Sequence, residues 1–410
     1  MKIIKKKTVL IITLLITTLI GCDSKTQKDF TEEKPYLIIL SLDGFRWDYC
    51  NNATTPTFDS LAKIGAKAQS LRPCFPTKTF PNHYSLATGL HPDNHGIILN
   101  NFYATDLQLP YSIRNKKAVT NGEFYNGNPI WNVAEANGVK TATLFWVGAS
   151  AAINNKQPSH WSAYFEGLSL DSRIDSVVNW LNLPSEERPH LIMWYYKEPD
   201  NIGHIYGPDS PELITEVEKL DSFIKDFFTA VRKLPIYNEL NIIITSDHGM
   251  TSISSEKEIF LTSIIDTSNI EFYNGGNPII NLKVKDGKVN KVYGDLVSQS
   301  ENIEVWKHGE GPPKYHYGNN IRTQDITVVA KPEWSIYYSK KGYDSHGTHG
   351  YSNDFMDMHA IFYAAGPAFK ENYLHPTFNI IDIYPLMGEI LKIKVPESDG
   401  DLKNVIGMIK

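Results

Sequence analysis

The chain has 410 residues, 41% of them hydrophobic and 21% charged, enough to bury one large core but hardly three independent domains. Its formal net charge is −6, and no basic block follows the first residues. The electrostatic footprint that grips a nucleic acid backbone is therefore missing, and a polymeric nucleic acid is not expected as partner or substrate.

The chain opens with Lys2, Lys5, Lys6 and Lys7, continues with an apolar run from Thr8 to Ile20, and closes the segment with Leu19-Ile-Gly-Cys22. This pattern resembles a bacterial lipoprotein signal. The apolar run is about 13 residues long, short of the roughly 20 that cross a bilayer. We therefore expect a signal peptide over 1–21 and a lipid anchor on Cys22, which ties the exported protein to a membrane of the bacterial envelope on its periplasmic or surface side. Residues 22–34 are rich in Lys, Asp, Glu, Ser, Thr and Gln and read as a polar tether, because they have little apolar surface to bury. The catalytic domain is expected over 35–410. Only Cys50 and Cys74 remain in it, paired or free, too few for a disulfide framework.

Past Pro35, short continuous apolar runs alternate with helical patterns. The runs Tyr36–Leu42, Thr141–Trp146, Leu191–Tyr196 and Leu240–Thr245 read as buried parallel strands. Between them, Pro56–Ala66, Asn128–Asn137, Ser172–Leu181 and Ser210–Leu234 space apolar residues three and four apart, as in Leu213, Val217, Leu220, Ile224 and Phe227. These are crossover helices of an α/β/α sandwich around a mostly parallel sheet. From about 260 to 327 the pattern turns to short alternating pieces broken by Gly and Asn, which we read as a small inserted antiparallel subdomain. The run His359–Ala365 then reads as a returning strand and Ile380–Leu391 as a closing helix.

The chemistry-bearing residues fall where such a sheet places its sites. Asp43 follows the first strand, Asp200 the third and Asp247-His248 the fourth, all at carboxyl ends. Asp200 and His204, four apart, can reach one ion if the segment turns helically. Asp247-His248 ends an apolar run, where charge is costly to bury unless paired or bound to metal. His349 in Gly347-Thr-His-Gly and its neighbour His346 are both candidate ligands, and spacing does not choose between them. In Phe75-Pro-Thr-Lys-Thr79-Phe-Pro-Asn-His-Tyr84, Pro81 marks a first helical turn and places Thr79 at the N-cap. There a hydroxyl nucleophile meets the positive end of the helix dipole, with a metal beside it.

Together with Asp43-Gly-Phe-Arg, Gly89-Leu-His-Pro-Asp-Asn-His-Gly-Ile, Glu198-Pro-Asp-Asn-Ile-Gly-His and Thr245-Ser-Asp-His-Gly-Met, these motifs resemble the nucleotide pyrophosphatase/phosphodiesterases of the alkaline phosphatase superfamily. The resemblance implies an alkaline phosphatase-like fold and two Zn2+ ions. One is held by Asp200, His204 and His349, the other by Asp43, Asp247 and His248, with Thr79 touching the second. It also implies that Asn100 helps a backbone N–H near the nucleophile to hold a phosphate oxygen, and that Phe80 and Tyr164 sandwich a nucleotide base. The expected activity is cleavage of small nucleotide diesters or pyrophosphates through a phospho-threonine intermediate, releasing a nucleoside monophosphate.

Three other readings stand beside this one. Relatives that act on choline or lysolipid head groups use the same metals, and Trp161, Tyr164 or Trp194 could equally face a quaternary ammonium. A phosphomonoesterase needs extra cations, commonly a Lys-x-Arg pair, and Trp161-Ser-Ala-Tyr-Phe-Glu166 has none. A metal-free binding lipoprotein is disfavoured because all six ligands and Thr79 are present.

Overall fold

The computed structural model describes residues 34–299, 301–339 and 345–410. The expected signal peptide, the lipidation position Cys22 and the tether up to 33 lie outside the described residues. Lys34–Lys410 form one compact unit.

An eight-stranded sheet organises that unit, in the order Tyr373–His375, Ala66–Ala68, Phe362–Ala365, Leu240–Thr245, Tyr36–Leu42, Leu191–Tyr196, Thr141–Leu144 and His160–Ser162. The last five strands run parallel, whereas Phe362–Ala365 runs antiparallel to both its neighbours. The alkaline phosphatase-like sandwich expected from the periodicity and the motifs is thus borne out. The strand Tyr36–Leu42 shows why its sequence is uniformly apolar. Leu37 and Ile39 pack into one core and Tyr36, Ile38, Leu40 and Leu42 into another, one on each face, so no position of the strand meets water.

Helices Pro56–Ile64, Leu170–Leu181 and Pro211–Val231 contribute Phe58, Val177, Leu220 and Phe227 to the second core. Helices Thr79–Thr88, Ile130–Ala136 and Ile383–Ile390 cover the opposite face with Tyr84, Trp131 and Met387. Several elements end earlier than the apolar spacing suggests. Ala66 leaves its helix to pair in the sheet, and Phe145 and Trp146 lie beyond the strand Thr141–Leu144.

Residues 270–330 build a separate antiparallel sheet in the order Ile270–Gly276, Ile279–Val284, Ile326–Ala330, Ile303–Lys307. Helix Val289–Gln299 buries Val292 and Leu296 against it. The alternating strand pattern around this helix hides it in the sequence, since its apolar residues are few. Cys50 and Cys74 are both free thiols, and no helix among the described residues is long and apolar enough to cross a membrane.

Candidate active site

Three neighbouring parallel strands end together. Ser41 pairs with Tyr195 on one side and with Thr245 on the other, so Asp43, the Asp200 helix and Asp247-His248 leave the sheet side by side. The backbone N–H of Asp200 donates to the Asp43 carbonyl at 3.0 Å and locks two of these ends together.

Thr79 is the first residue of the helix Thr79–Thr88, and Lys78 occupies the N-cap without a side-chain cap bond. The expected N-cap position for Thr79 is therefore one residue out. Proline is tolerated throughout the first turn, where N–H groups have no helical acceptor, so Pro81 does not fix the cap. The consequence favours chemistry, because the Thr79 hydroxyl is not spent on capping and instead lies 3.3 Å from His248 Nε2. The Thr79 N–H has no acceptor among the described residues. The next N–H, of Phe80, donates to Asn100 Oδ1 at 3.1 Å, which places Asn100 beside the nucleophile helix.

The three imidazoles have a common orientation. Nδ1 of His204 donates to Gly347 O at 2.8 Å, that of His248 to Gly249 O at 2.8 Å, and that of His349 to Thr77 O at 2.7 Å. A carbonyl only accepts, so each Nδ1 carries a proton, and with Nε2 unprotonated, as a metal ligand requires, each ring turns a lone pair into the site. Those lone pairs face carboxylate oxygens: His204 Nε2 lies 3.4 Å and His349 Nε2 3.6 Å from Asp200, and His248 Nε2 lies 3.1 Å from Asp247 and 3.4 Å from Asp43. One oxygen each of Asp43, Asp200 and Asp247 is buried without a hydrogen-bond partner. Acceptors facing acceptors in a dry pocket are repulsive unless a cation stands between them. The donor set therefore fits divalent metal ions. Ligand atoms of Asp43, Asp247 and His248 fall within 4.8 Å of one another, as do those of Asp200, His248 and His349. His248 is thus central, and His204 joins the second group through Asp200.

Burial acts against a charge on His248, but the adjacent Asp247 outweighs it and raises the pKa of the ring. Burial, with the charges of Asp247 and Asp200 nearby, pushes the Asp43 carboxyl well above the usual range. Burial also acts against a charge on Asp247, but the adjacent His248 and His83 rings outweigh it and hold Asp247 well below that range. Burial, His248 and Lys78 hold the His349 ring neutral.

The site opens into a cavity of about 620 Å³ lined by Asp43, Lys78, Thr79, Phe80, Asn100 and Asp200 among others. Of the two expected base-binding rings, Phe80 lines it. Tyr164 does not: it is 51% exposed and packs on Phe145 and Tyr195, one ring removed from the cavity. Trp194 is fully buried against Phe223 and Phe227 and has no face for a quaternary ammonium. His346 is exposed, whereas His349 is buried with its Nε2 3.6 Å from Asp200, which makes His349 the better candidate of the two.

Sequence reasoning missed two supports. Tyr195 lines the cavity and donates its hydroxyl to Asp43 Oδ2 at 2.6 Å, leaving Asp43 Oδ1 as the free donor atom. His83, one turn along the nucleophile helix, bonds Thr79 O at 2.9 Å and Ser41 Oγ at 2.9 Å. Only the adjacency of His83 to the Thr79 motif hinted at it. Tyr195 looked like one more apolar strand residue.

Fold and site together define a hydrolase of the alkaline phosphatase superfamily. Residues 37–352 match the family model for type I phosphodiesterase / nucleotide pyrophosphatase, and the chain belongs to that family. It is 34% identical over 90% of its length to human ectonucleotide pyrophosphatase/phosphodiesterase family member 5, covering 77% of that protein. It is also 34% identical over 90% of its length to a venom phosphodiesterase of Crotalus durissus collilineatus, but spans only 46% of that longer chain. The structure of murine member 5 superposes with a TM-score of 0.88 at 32% identity, over 92% of this chain and 100% of that one. A similarly close structure is an inactive threonine-to-alanine variant of the murine protein in complex with AMP.

Proposed function

We propose that the protein is a two-zinc hydrolase that cleaves phosphodiester or pyrophosphate bonds of small nucleotides and releases a nucleoside monophosphate. The observation that carries this reading is the ring of unpartnered carboxylate oxygens and inward-facing imidazole lone pairs around the Thr79 hydroxyl. Asp200, His204 and His349 would hold one zinc and Asp43, Asp247 and His248 the other; when bound, the pair supplies Lewis-acid charge to the attacking and leaving oxygens of an in-line displacement.

The chain's own groups do the rest. Thr79 Oγ1 forms the bond to phosphorus while the bond to the leaving oxygen breaks, and the hydroxyl proton ends on that leaving oxygen, giving a covalent phospho-threonine that retains the nucleoside. Water then breaks the Thr79 Oγ1–phosphorus bond and regenerates the hydroxyl. The unused Thr79 N–H and the Asn100 amide hold a non-bridging oxygen, and Phe80 stacks the base. Tyr195 and the carbonyls behind the three histidines keep the ligand atoms aimed inward. The AMP complex of the murine relative supports a nucleotide as substrate.

For organisation and location, we read residues 1–21 as a signal peptide, Cys22 as lipidated, 22–34 as a tether and 35–410 as the catalytic domain carrying the subdomain at 260–327. Names beginning "ecto" and "venom" among the relatives support export.

The test compares kcat/KM of the purified protein for a nucleotide phosphodiester, a choline phosphodiester and an aryl phosphate monoester, with and without chelator, alongside metal analysis. Chelator-sensitive preference for the nucleotide diester and about two zinc ions per chain support the reading. Dominance of either other substrate overturns it.

A further inference from the structure

Residues 74–78, which lead into the nucleophile helix, form neither helix nor strand, and 74–77 are buried. The backbone groups of such a segment need partners, and on its inner side one side chain supplies most of them. Asn82, fully buried on the helix itself, accepts from the Cys74 N–H at 2.7 Å and turns its amide N–H groups to the carbonyls of Cys74, Pro76 and Lys78 at 3.3, 3.0 and 3.0 Å. The segment is thus fixed to the helix that carries Thr79.

Its outer side is held by Thr77, of which the chemistry above uses only the carbonyl. Three successive residues of the loop after Thr348 bond to it. Thr77 O accepts from His349 Nδ1 at 2.7 Å, Thr77 Oγ1 accepts from the Gly350 N–H at 2.8 Å, and the Thr77 hydroxyl donates to Tyr351 O at 3.2 Å. Thr77 is fully buried, so its hydroxyl both donates and accepts inside the protein and leaves nothing for water. Among the described residues, no other residue of 75–79 hydrogen-bonds to 345–352. The approach is close enough to need glycine at 350, where φ is +120° and a Cβ would fall 2.5 Å from Lys78 Cε and 2.8 Å from Pro278 Cδ. The far side of the loop is anchored as well, because Tyr351 is fully buried and donates its hydroxyl to Trp334 O at 2.7 Å.

These contacts close a circuit. The His349 ring stacks on His248 with centroids 3.6 Å apart, and His248 Nε2 lies 3.3 Å from the Thr79 hydroxyl. On the other side, Thr77 joins His349 back to Thr79 through about 7 Å of chain. We propose that Thr77 is a positioning residue: its hydroxyl clasp on 349–351 fixes the His349 imidazole and the start of the nucleophile helix relative to each other, so that candidate ligand and nucleophile are set as one unit. The inference rests on the reading of His349 as a metal ligand and Thr79 as the nucleophile. The Nδ1–H bond to Thr77 O aims His349 Nε2 and raises its basicity, so loosening the clasp is felt at the ligand atom and at the Thr79 hydroxyl together.

The experiment uses the full chain with Thr77→Val, which keeps the shape of the side chain and deletes the hydroxyl, and Thr77→Ser, which keeps the hydroxyl. Zinc affinity is read first, by competition with a chelator and without turnover. Thr77→Val should weaken one zinc equivalent about 10- to 100-fold, as for other outer partners of ligands, and leave the other within about twofold. With zinc then saturating, kcat for a nucleotide diester should fall about 10- to 100-fold, the scale for misplacing a reacting group by roughly 1 Å, with KM within about twofold. Thr77→Ser should stay within about threefold of the wild type in both measurements. Thr77→Cys, of serine's shape but a weaker donor and acceptor, should fall between the two and carries the comparison should the valine variant not fold. Equal weakening of both zinc equivalents, a loss in affinity or kcat but not in both, or a serine variant as impaired as the valine one overturns the clasp. A wild type that takes up two zinc ions and hydrolyses the diester, matched by Thr77→Val, overturns the clasp alone. A wild type that binds no zinc overturns the metal reading itself, an outcome visible before any variant is made.

Discussion

The two walls of the cavity are built on opposite principles. On the main sheet, Asp43, Thr79, Asp247, His248 and His349 are nearly or fully buried, and the far side of almost every donor is fixed by a backbone carbonyl or a Tyr hydroxyl. On the inserted sheet, the cavity is lined by the open Tyr273, by Gly275 and Gly276, and by the buried apolar Ile279 and Ile280, with no ionisable side chain except that of Tyr273. The difference teaches where each property is stored. Reaction type sits in a dry, over-determined wall in which a single atom out of place is costly. The inserted wall carries none of the candidate ligands.

The sharpest way to break this division is Thr79→Ala, which removes one buried oxygen and no ligand carboxylate. We expect kcat to fall by at least about 10³-fold, the scale seen when a nucleophile is removed, with metal content unchanged by atomic absorption. Retained turnover would refute the role of Thr79. Next, Phe80→Ala should lower kcat/KM for a nucleotide diester about 5- to 150-fold, whereas Tyr164→Ala should change it by less than about threefold, since Tyr164 lies outside the cavity. Equal losses in a steady-state comparison would restore the sandwich that the motif resemblance implies.

Tyr195→Phe sharpens the comparison from the buried side. It deletes the hydroxyl that holds Asp43 Oδ2 and should weaken metal affinity about 10- to 100-fold, as for other outer partners of ligands. Competition with a chelator of known affinity measures this without reference to turnover, and unchanged affinity would mean that Asp43 needs no such support.

The smallest effect concerns stability. His95 is fully buried; its Nδ1 accepts from Ile97 N–H at 3.1 Å and its Nε2 lies 3.1 Å from Pro81 O, so protonation at Nδ1 breaks a bond. Burial lowers its pKa to about 3, against about 6.5 when unfolded. The unfolded chain therefore binds the extra proton as pH falls, and stability is complete above about 6.5 and lost progressively toward 3, with a limiting slope of about 1.4 kcal/mol per pH unit. Urea midpoints between pH 7 and 5 should fall for the wild type and fall less steeply for His95→Gln.

The same contrast governs what could be read from the residues. Strands Tyr36–Leu42, Leu191–Tyr196 and Leu240–Thr245 were legible to the residue because burial on both faces imposes an unbroken apolar run. The candidate ligands were legible because charged residues directly after such runs demand a partner. The helix start at Thr79 was blurred by one position, since Pro81 is compatible with more than one cap. Tyr195 and His83 stayed hidden. Their roles come from contacts between segments far apart in the chain, and a tyrosine in a strand carries no local sign of which way its hydroxyl points.

The central claim is that Thr79 takes the phosphoryl group covalently, so that hydrolysis proceeds by two in-line displacements rather than one. The most direct test is to hydrolyse a nucleotide phosphorothioate diester of known configuration in isotopically labelled water and read the configuration of the product. Two displacements predict net retention at phosphorus; inversion would mean that water attacks directly and would contradict the account.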